Sequence, residues 1–458
     1  MFKRQGDGPA RSILILAWPV VLEMCLHTFC WICDAAMVMR LGAREASAVE
    51  YAASVLFGVT GVCGALGIGV NSLVARFIGA ADNENAGLVA GQAVSVSLAL
   101  TISLALIMGI FGRPFCLWAI KDAPTAALTV EYLYSSLFSG GICMLLILVI
   151  NGVIRGMGNT RVPMYIALVV NIFNIFFDYA LIFGKLGFPA LGVKGAALAT
   201  GSAQAFGLTV GLFYLYRRRG ELRLTRRSFW PMRKPVLKSI LSISLPVGME
   251  EVVYNVSRLI SITWIAALGP ISFAANTAAV AAESFSFMPG YAFSLAATTL
   301  VGQHLGAGQP DEALRTGNLA TIMATVLMSA IASLFYFFPH FIMRIFDPPE
   351  AEVLHLGIAC LRIAAVEQPF IAVAYTLAGA LKGAGDTRGP LRAGFIASFL
   401  VRLPLVYLVV YVFELSVTYI WWVTALQYLV TTVIMLRRYR RTQWHRLARK
   451  PSFASVGL

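Results

Sequence analysis

Apolar residues in this chain fall in long runs, each close to the ~20 residues a helix needs to cross ~30 Å of hydrocarbon. Twelve of these runs are predicted to be membrane-spanning helices, at 12–39, 50–77, 88–111, 130–154, 163–183, 192–216, 239–267, 276–303, 316–338, 355–381, 391–412 and 416–436. The short alternating segments of a membrane barrel are absent from the pattern. An all-α polytopic membrane protein with twelve transmembrane helices is therefore expected. The first run is too long for a signal-peptide core and contains Glu23 and Asp34, so it is expected to be retained as helix one.

The polar punctuation repeats. At a shift of 227 residues Pro19 and Glu23 fall on Pro246 and Glu250, and Leu41 and Gly42 on Leu268 and Gly269. At the same register NSLVARFIGA (71–80) falls on TTLVGQHLGA (298–307), and RGMGNTRVPM (155–164) on KGAGDTRGPL (382–391). The chain thus divides into an N-terminal six-helix lobe (1–216), a basic linker (217–238), a C-terminal six-helix lobe (239–436) and a basic tail (437–458). An even number of spans per half gives both lobes the same orientation, related by a pseudo-two-fold along the membrane normal. Alternating-access carriers with parallel repeats are built in this way.

Composition agrees with a membrane protein, since 59% of the 458 residues are hydrophobic and only 13% charged. The net charge of +14 does not imply nucleic acid. Most Lys and Arg lie at the N-terminus, the even-numbered loops and the C-terminus, a positive-inside bias that predicts both termini in the cytoplasm. The two densest basic runs, 217–238 and 437–450, suit topology and anionic lipid. Most of the seven cysteines lie within spans, where they pack as small hydrophobes; Cys30 and Cys33 form a CxxC inside helix one, without a second pair to make a metal or redox centre. No HExxH or GxSxG is present, so an intramembrane enzyme is not expected and no catalytic residue is assigned.

Candidate chemistry lies where the halves disagree. Asp34 falls on Ser261, Asn174 on Val401, Asp178 on Leu405 and Thr200 on Gln427. A charge at the bilayer centre costs roughly 2.5–3.5 kcal/mol, so the two aspartates need partners or a wet cavity. Asn171, Asn174 and Asp178 share one face of helix five; Glu23, His27, Cys30 and Asp34 share one face of helix one. Packed together with Thr200, these faces would enclose oxygen donors suited to Na⁺ or to a proton held between carboxylates. The alternative is that the amides and acids only join helices, at ~0.6–2 kcal/mol per contact. Glu23 has its repeat in Glu250, and His27 could pack or relay protons. In the second half Glu251, Tyr254, Asn255 and Arg258 share a face, where a Glu251–Arg258 pair would neutralise both charges. Glu283, Glu367 and Arg402 could pair or line a substrate vestibule, and acids beside aromatic rings suit an organic cation. Pro19, which removes a backbone hydrogen bond, is the expected bending element of helix one.

Over essentially its whole length the chain resembles the multidrug and toxic compound extrusion (MATE) family. The segments that carry the resemblance are CDAAMVMRLGA (33–43), NSLVARFIGAADNENA (71–86), RGMGNTRVPMYIALVVNIFNIFFDYALIFG (155–184), LGVKGAALAT (191–200), MPGYAFSLAATTLVGQHLGAG (288–308) and LKGAGDTRGP (381–390). The resemblance implies a secondary active antiporter that exports organic, cationic drugs or toxic metabolites in exchange for H⁺ or Na⁺. It implies no cofactor beyond that ion, and a monomer in a bacterial or archaeal cytoplasmic membrane. Asp34, Asn174, Asp178 and Thr200 match the cation-site pattern of the DinF-like branch. The second-lobe acids of the NorM-like branch fall by alignment on Tyr254 and Ile371, so the DinF-like branch is favoured and no second-lobe site is expected. Glu23, His27, Glu250, Glu251, Tyr254, Asn255 and Glu283 stand as candidates for substrate contact or proton relay. A lipid-linked precursor flippase of the same superfamily is the alternative; it would be expected to have a strongly cationic cavity and often extra spans.

Overall fold

The computed structural model describes residues 8–141, 143–218, 222, 224–346 and 350–448, and among them there are helices and no strand. In the first half these are α1 (Pro9–Met39), α2 (Ala43–Gly79), α3 (Asn83–Ala119), α4 (Ala123–Ser139), α5 (Cys143–Gly156), α6 (Arg161–Phe183) and α7 (Val193–Arg217). A short α8 (Arg226–Phe229) lies in the linker. Then come α9 (Lys234–Ala266), α10 (Pro270–Ser284), α11 (Phe287–Gly306), α12 (Pro310–Phe337), α13 (Pro339–Arg344) and α14 (Ala351–Gly383). The last long helices are α15 (Arg388–Val412) and α16 (Val417–Arg441).

Each of the twelve predicted spans lies on one helix or one broken pair, α4 with α5 and α10 with α11. By length and hydropathy alone eight helices qualify, nine with the bent α4–α5 pair. Helix α2, helix α9, with Glu250, Glu251 and Arg258, and the α10–α11 pair, with Glu283, are the three spans not among them. Helix α15 contains two π-helical stretches, Ile396–Arg402 and Leu408–Val412, on either side of a short α-helical segment that holds Pro404. Proline supplies no N–H to the ladder, and wider turns are one way the backbone accommodates it.

Lipid exposure inverts the soluble pattern. On α3, Leu98, Ile102, Leu106 and Ile110 form an exposed apolar stripe at helical spacing, while Ser97, Thr101 and Met108 are buried. Helix pairs approach through small residues, as expected where lipid tails are as apolar as leucine. A Cβ on Gly152 would meet the Gly67 carbonyl, and one on Gly156 would lie 2.9 Å from the Asn71 carbonyl oxygen. Their repeat mates behave alike: a Cβ on Gly379 would strike the Ser294 carbonyl, and one on Gly383 the Thr298 carbonyl. The 227-residue repeat is therefore also a repeat of backbone contacts.

Contacts divide the chain into two compact units, Pro19–Ser244 in one, and residues up to Trp18 together with Leu245–Leu458 in the other. The boundaries fall beside Pro19 and Pro246, inside α1 and α9, and not in the 217–238 linker. The linker groups with the first unit because it is pinned to α3. There Gln92 Nε2 donates to the Pro231 carbonyl (3.1 Å), Gln92 Oε1 accepts from the Arg233 N–H (3.0 Å), and Ser95 Oγ donates to the Phe229 carbonyl (3.1 Å). Residues 219–221 and 223 of the linker, and 449–458 of the basic tail, lie outside the described residues.

Candidate functional site

Four helices of the Pro19–Ser244 unit bring their polar faces together. Helix α1 contributes Cys30 and Asp34, α4 Tyr132, α6 Asn174 and Asp178, and α7 Thr200. The α6 residues recur at the helical period, so Asn174 and Asp178 lie one turn apart on the inward face, 4% and 1% exposed. Asn174 is the hinge of the network: its Oδ1 accepts from the Cys30 thiol (2.9 Å), and its Nδ2 donates to Thr200 Oγ1 (3.3 Å). The Tyr132 hydroxyl lies within hydrogen-bonding reach of Thr200.

The two carboxyls lie within hydrogen-bonding reach of each other. Neither oxygen of Asp178 finds a donor of good geometry, although both are sealed from solvent. Asp178 is buried and Asp34 half-buried, and two carboxylates in contact without a basic partner repel each other strongly in such a site; a proton or a cation between them relieves that repulsion. With the Asn174 and Thr200 oxygens beside them, the donor set is hard and all-oxygen, which suits Na⁺ or H⁺ and not a soft metal. Among the described residues no group of three or more His, Cys, Asp or Glu is arranged to hold a metal ion.

The four residues singled out by the broken repeat thus converge. Cys30 and Tyr132 join them; Cys30 was legible as part of the α1 stripe, whereas nothing in the sequence marked Tyr132. Asn171 is buried one turn earlier, with no hydrogen bond to the cluster and its Nδ2 without a partner.

Glu23 does not join this site. It receives Arg155 Nη2 on both oxygens, at 2.7 and 2.8 Å, and His27 lies beside that pair. At the 227-residue shift the same pair recurs as Glu250 with Lys382 Nζ, at 2.9 Å. Glu251 and Arg258 form no ion pair: Arg258 is exposed beside Arg402, and Glu251 lies near Lys382 and Glu250. Asn255, exposed, spends its Nδ2 on the Glu251 carbonyl of its own helix (2.9 Å). Tyr254 packs near Gly394 and in the field of Glu250, Glu251 and Tyr375. Glu283 belongs to a separate buried cluster with Gln368, Glu367 and Arg402. Helix α1 runs unbroken through Pro19.

Known proteins of similar sequence are named as multidrug resistance proteins or, in one case quoted below, as a transporter. The chain is 29% identical over 413 residues to the probable multidrug resistance protein NorM of Thermotoga maritima, covering 90% of this chain and 88% of that one. It is 23% identical to the uncharacterized transporter YisQ of Bacillus subtilis, over 94% of each chain. Among solved structures, a MATE protein in the bent conformation superposes with a TM-score of 0.89 at 22% identity, over 98% of both chains. An outward-facing multidrug resistance MATE family transporter gives 0.88 at 22%, over 97% of both; at such identities the fold is what is shared. The MatE family pattern matches residues 19–180 and 246–408, two segments that begin 227 residues apart, at Pro19 and Pro246. With the repeat, the twelve spans and the carboxylate pair inside matched segments, the chain is a multi-pass membrane transporter and not an enzyme, and it belongs to the MATE family.

Proposed function

We propose that the chain is a secondary active efflux antiporter, exporting organic, cationic drugs or toxic metabolites in exchange for H⁺ or Na⁺ taken up at Asp34, Asn174, Asp178 and Thr200. The observation that carries this reading is the Asp34–Asp178 contact, with both Asp178 oxygens buried and only the Asn174 amide within reach as a donor, none forming a hydrogen bond of good geometry. It fits the DinF-like arrangement of an N-lobe coupling site, although the relatives quoted above include one named NorM. That relative's name, a multidrug resistance protein, supports drugs as the cargo class.

In this mechanism a cation or proton between the carboxyls favours one packing of α1 against α6, and substrate favours the other. Ion entry neutralises Asp34, α1 repacks about Pro19, where an i→i−4 hydrogen bond is missing, and substrate is displaced. Asn174 orients the pair by holding Cys30 and Thr200 at once. Both termini lie on the cytoplasmic side of the inner membrane, and the protein works as a monomer. No observation favours the lipid-linked precursor flippase.

The test is efflux of a cationic dye from proteoliposomes, with Na⁺ and pH gradients imposed separately. One gradient drives efflux in the wild type, and Asp34→Asn and Asp178→Asn each abolish that drive. Full gradient-driven efflux by both variants would sink the proposal.

A further inference from the structure

The unit that includes Leu245–Leu458 carries its own acid pair, at positions unrelated to the first. Glu283 stands at the end of α10, and Glu367 lies mid-way along α14. At the 227-residue shift these positions hold Leu56 and Gly140, and Arg402 falls on Ile175, so the repeat neither required nor copied them. Glu367 is 0% exposed, and neither of its oxygens meets a donor of good geometry. Glu283 lies within hydrogen-bonding reach of Glu367 and accepts from Gln368 Nε2 at 3.1 Å. Gln368 is locked in turn, since its Oε1 accepts from Ser286 Oγ at 2.9 Å.

Among the described residues one cation faces this pair. Arg402, at the end of the first π-helical stretch of α15, is close enough to act electrostatically on both glutamates. Its Nη1 donates to Gln427 Oε1 (3.2 Å), Gln427 Nε2 donates to Ser398 Oγ (3.2 Å), and Arg402 Nε is buried without a partner. Tyr375 on α14 and Tyr428 on α16 also border the cluster, as neutral phenols; Arg258 on α9 lies near Arg402 and is exposed.

Charge counting decides what the cluster binds. Two carboxylates and one guanidinium leave one negative charge beside the fully buried Glu367, and such a charge is very costly unless neutralised. A metal cation would have to enter beside Arg402, against its repulsion. A proton needs only the open Glu367 oxygens. We propose that Glu283 and Glu367 share one proton, forming a second ionisable site distinct from Asp34 and Asp178. The two sites then differ in kind: the first lacks a basic partner, while the second is a proton site balanced by arginine.

Infrared difference spectroscopy of the purified full-length chain across a pH titration reads protonated carboxyls by their carbonyl band. The background is Asp34→Asn with Asp178→Asn, so the result does not depend on coupling at the first site. One carboxylic-acid band equivalent to one proton remains at neutral pH. Adding either Glu283→Gln or Glu367→Gln removes it, because the surviving carboxylate is then balanced by Arg402. Adding Arg402→Gln doubles it, because two protons are then needed. A purely structural hydrogen-bonding role, which the isosteric glutamine retains, would give none of these changes. Absence of the band in the background, its survival in either glutamine variant, or an unchanged amplitude in Arg402→Gln overturns the proposal.

Discussion

Breaking the Glu23–Arg155 pair separates structure from transport. Arg155 Nη2 bridges both Glu23 oxygens at 2.7 and 2.8 Å, with the side chains only 14% and 5% exposed. With charge centres ~4 Å apart the attraction is about 4 kcal/mol at an effective dielectric of 20. Desolvating two ions costs several kcal/mol each, so the intact pair is close to neutral against an apolar replacement. Removing one partner strands the other in a dry site and costs about 3–5 kcal/mol. Arg155→Ala and Glu23→Gln each therefore lower stability by that order in denaturant titrations of the purified protein. A double Arg155→Leu, Glu23→Met replacement recovers most of the loss. Lys382 meets Glu250 at 2.9 Å and lies near Glu251 as well, so removing Glu250 leaves it a second acid and the same cycle in the second half gives a smaller penalty. If Glu23→Gln kept full stability and abolished ion-driven efflux, the pair would be part of the transport path and this reasoning would be wrong.

Two further outcomes follow from the geometry. Gly379→Val forces a side chain into the Ser294 carbonyl and lowers stability by about 1–3 kcal/mol, whereas Gly61→Ala, with nothing within 4 Å of the added Cβ, is neutral or stabilising; melting of the two variants checks this. Cys30→Ala frees Asn174 Oδ1 from its thiol donor, a change worth about 1 kcal/mol or roughly five-fold in affinity for the coupling ion, read from the ion dependence of efflux. An affinity unchanged within two-fold would show that the Cys30 hydrogen bond does not act on the ion site.

Much of this architecture was legible because lipid leaves few options. Twelve apolar runs became twelve helices or broken pairs, and the 227-residue repeat reappeared as matched close approaches, Gly152 on Gly67 and Gly379 on Ser294. The unit boundaries were not legible. A composition shift marks the charged linker, but Gln92 and Ser95 tie that segment to α3, and the division falls instead beside Pro19 and Pro246. Hydrogen bonds to main-chain carbonyls leave no trace in hydropathy.

The site shows the same limit more sharply. Asp34, Asn174, Asp178 and Thr200 stood out because each breaks the repeat, and they do come together. The repeat also held the answer for Glu23 and Glu250. Their partners Arg155 and Lys382 lie at the same shift, so acid and base are conserved between the halves as a pair, which is what a structural bridge between helices requires. Glu283, Glu367 and Arg402 break the repeat as plainly as the aspartates, yet their spacing along the chain, 84 residues between the glutamates, gives no helical face to read. Only the packing of α10, α14 and α15 makes them neighbours. An unmatched charge within a repeat therefore marks a candidate site even when periodicity is silent, and a matched opposite pair marks scaffold. By that rule each half of this transporter carries one acid pair of its own and one ion pair inherited from their common ancestor.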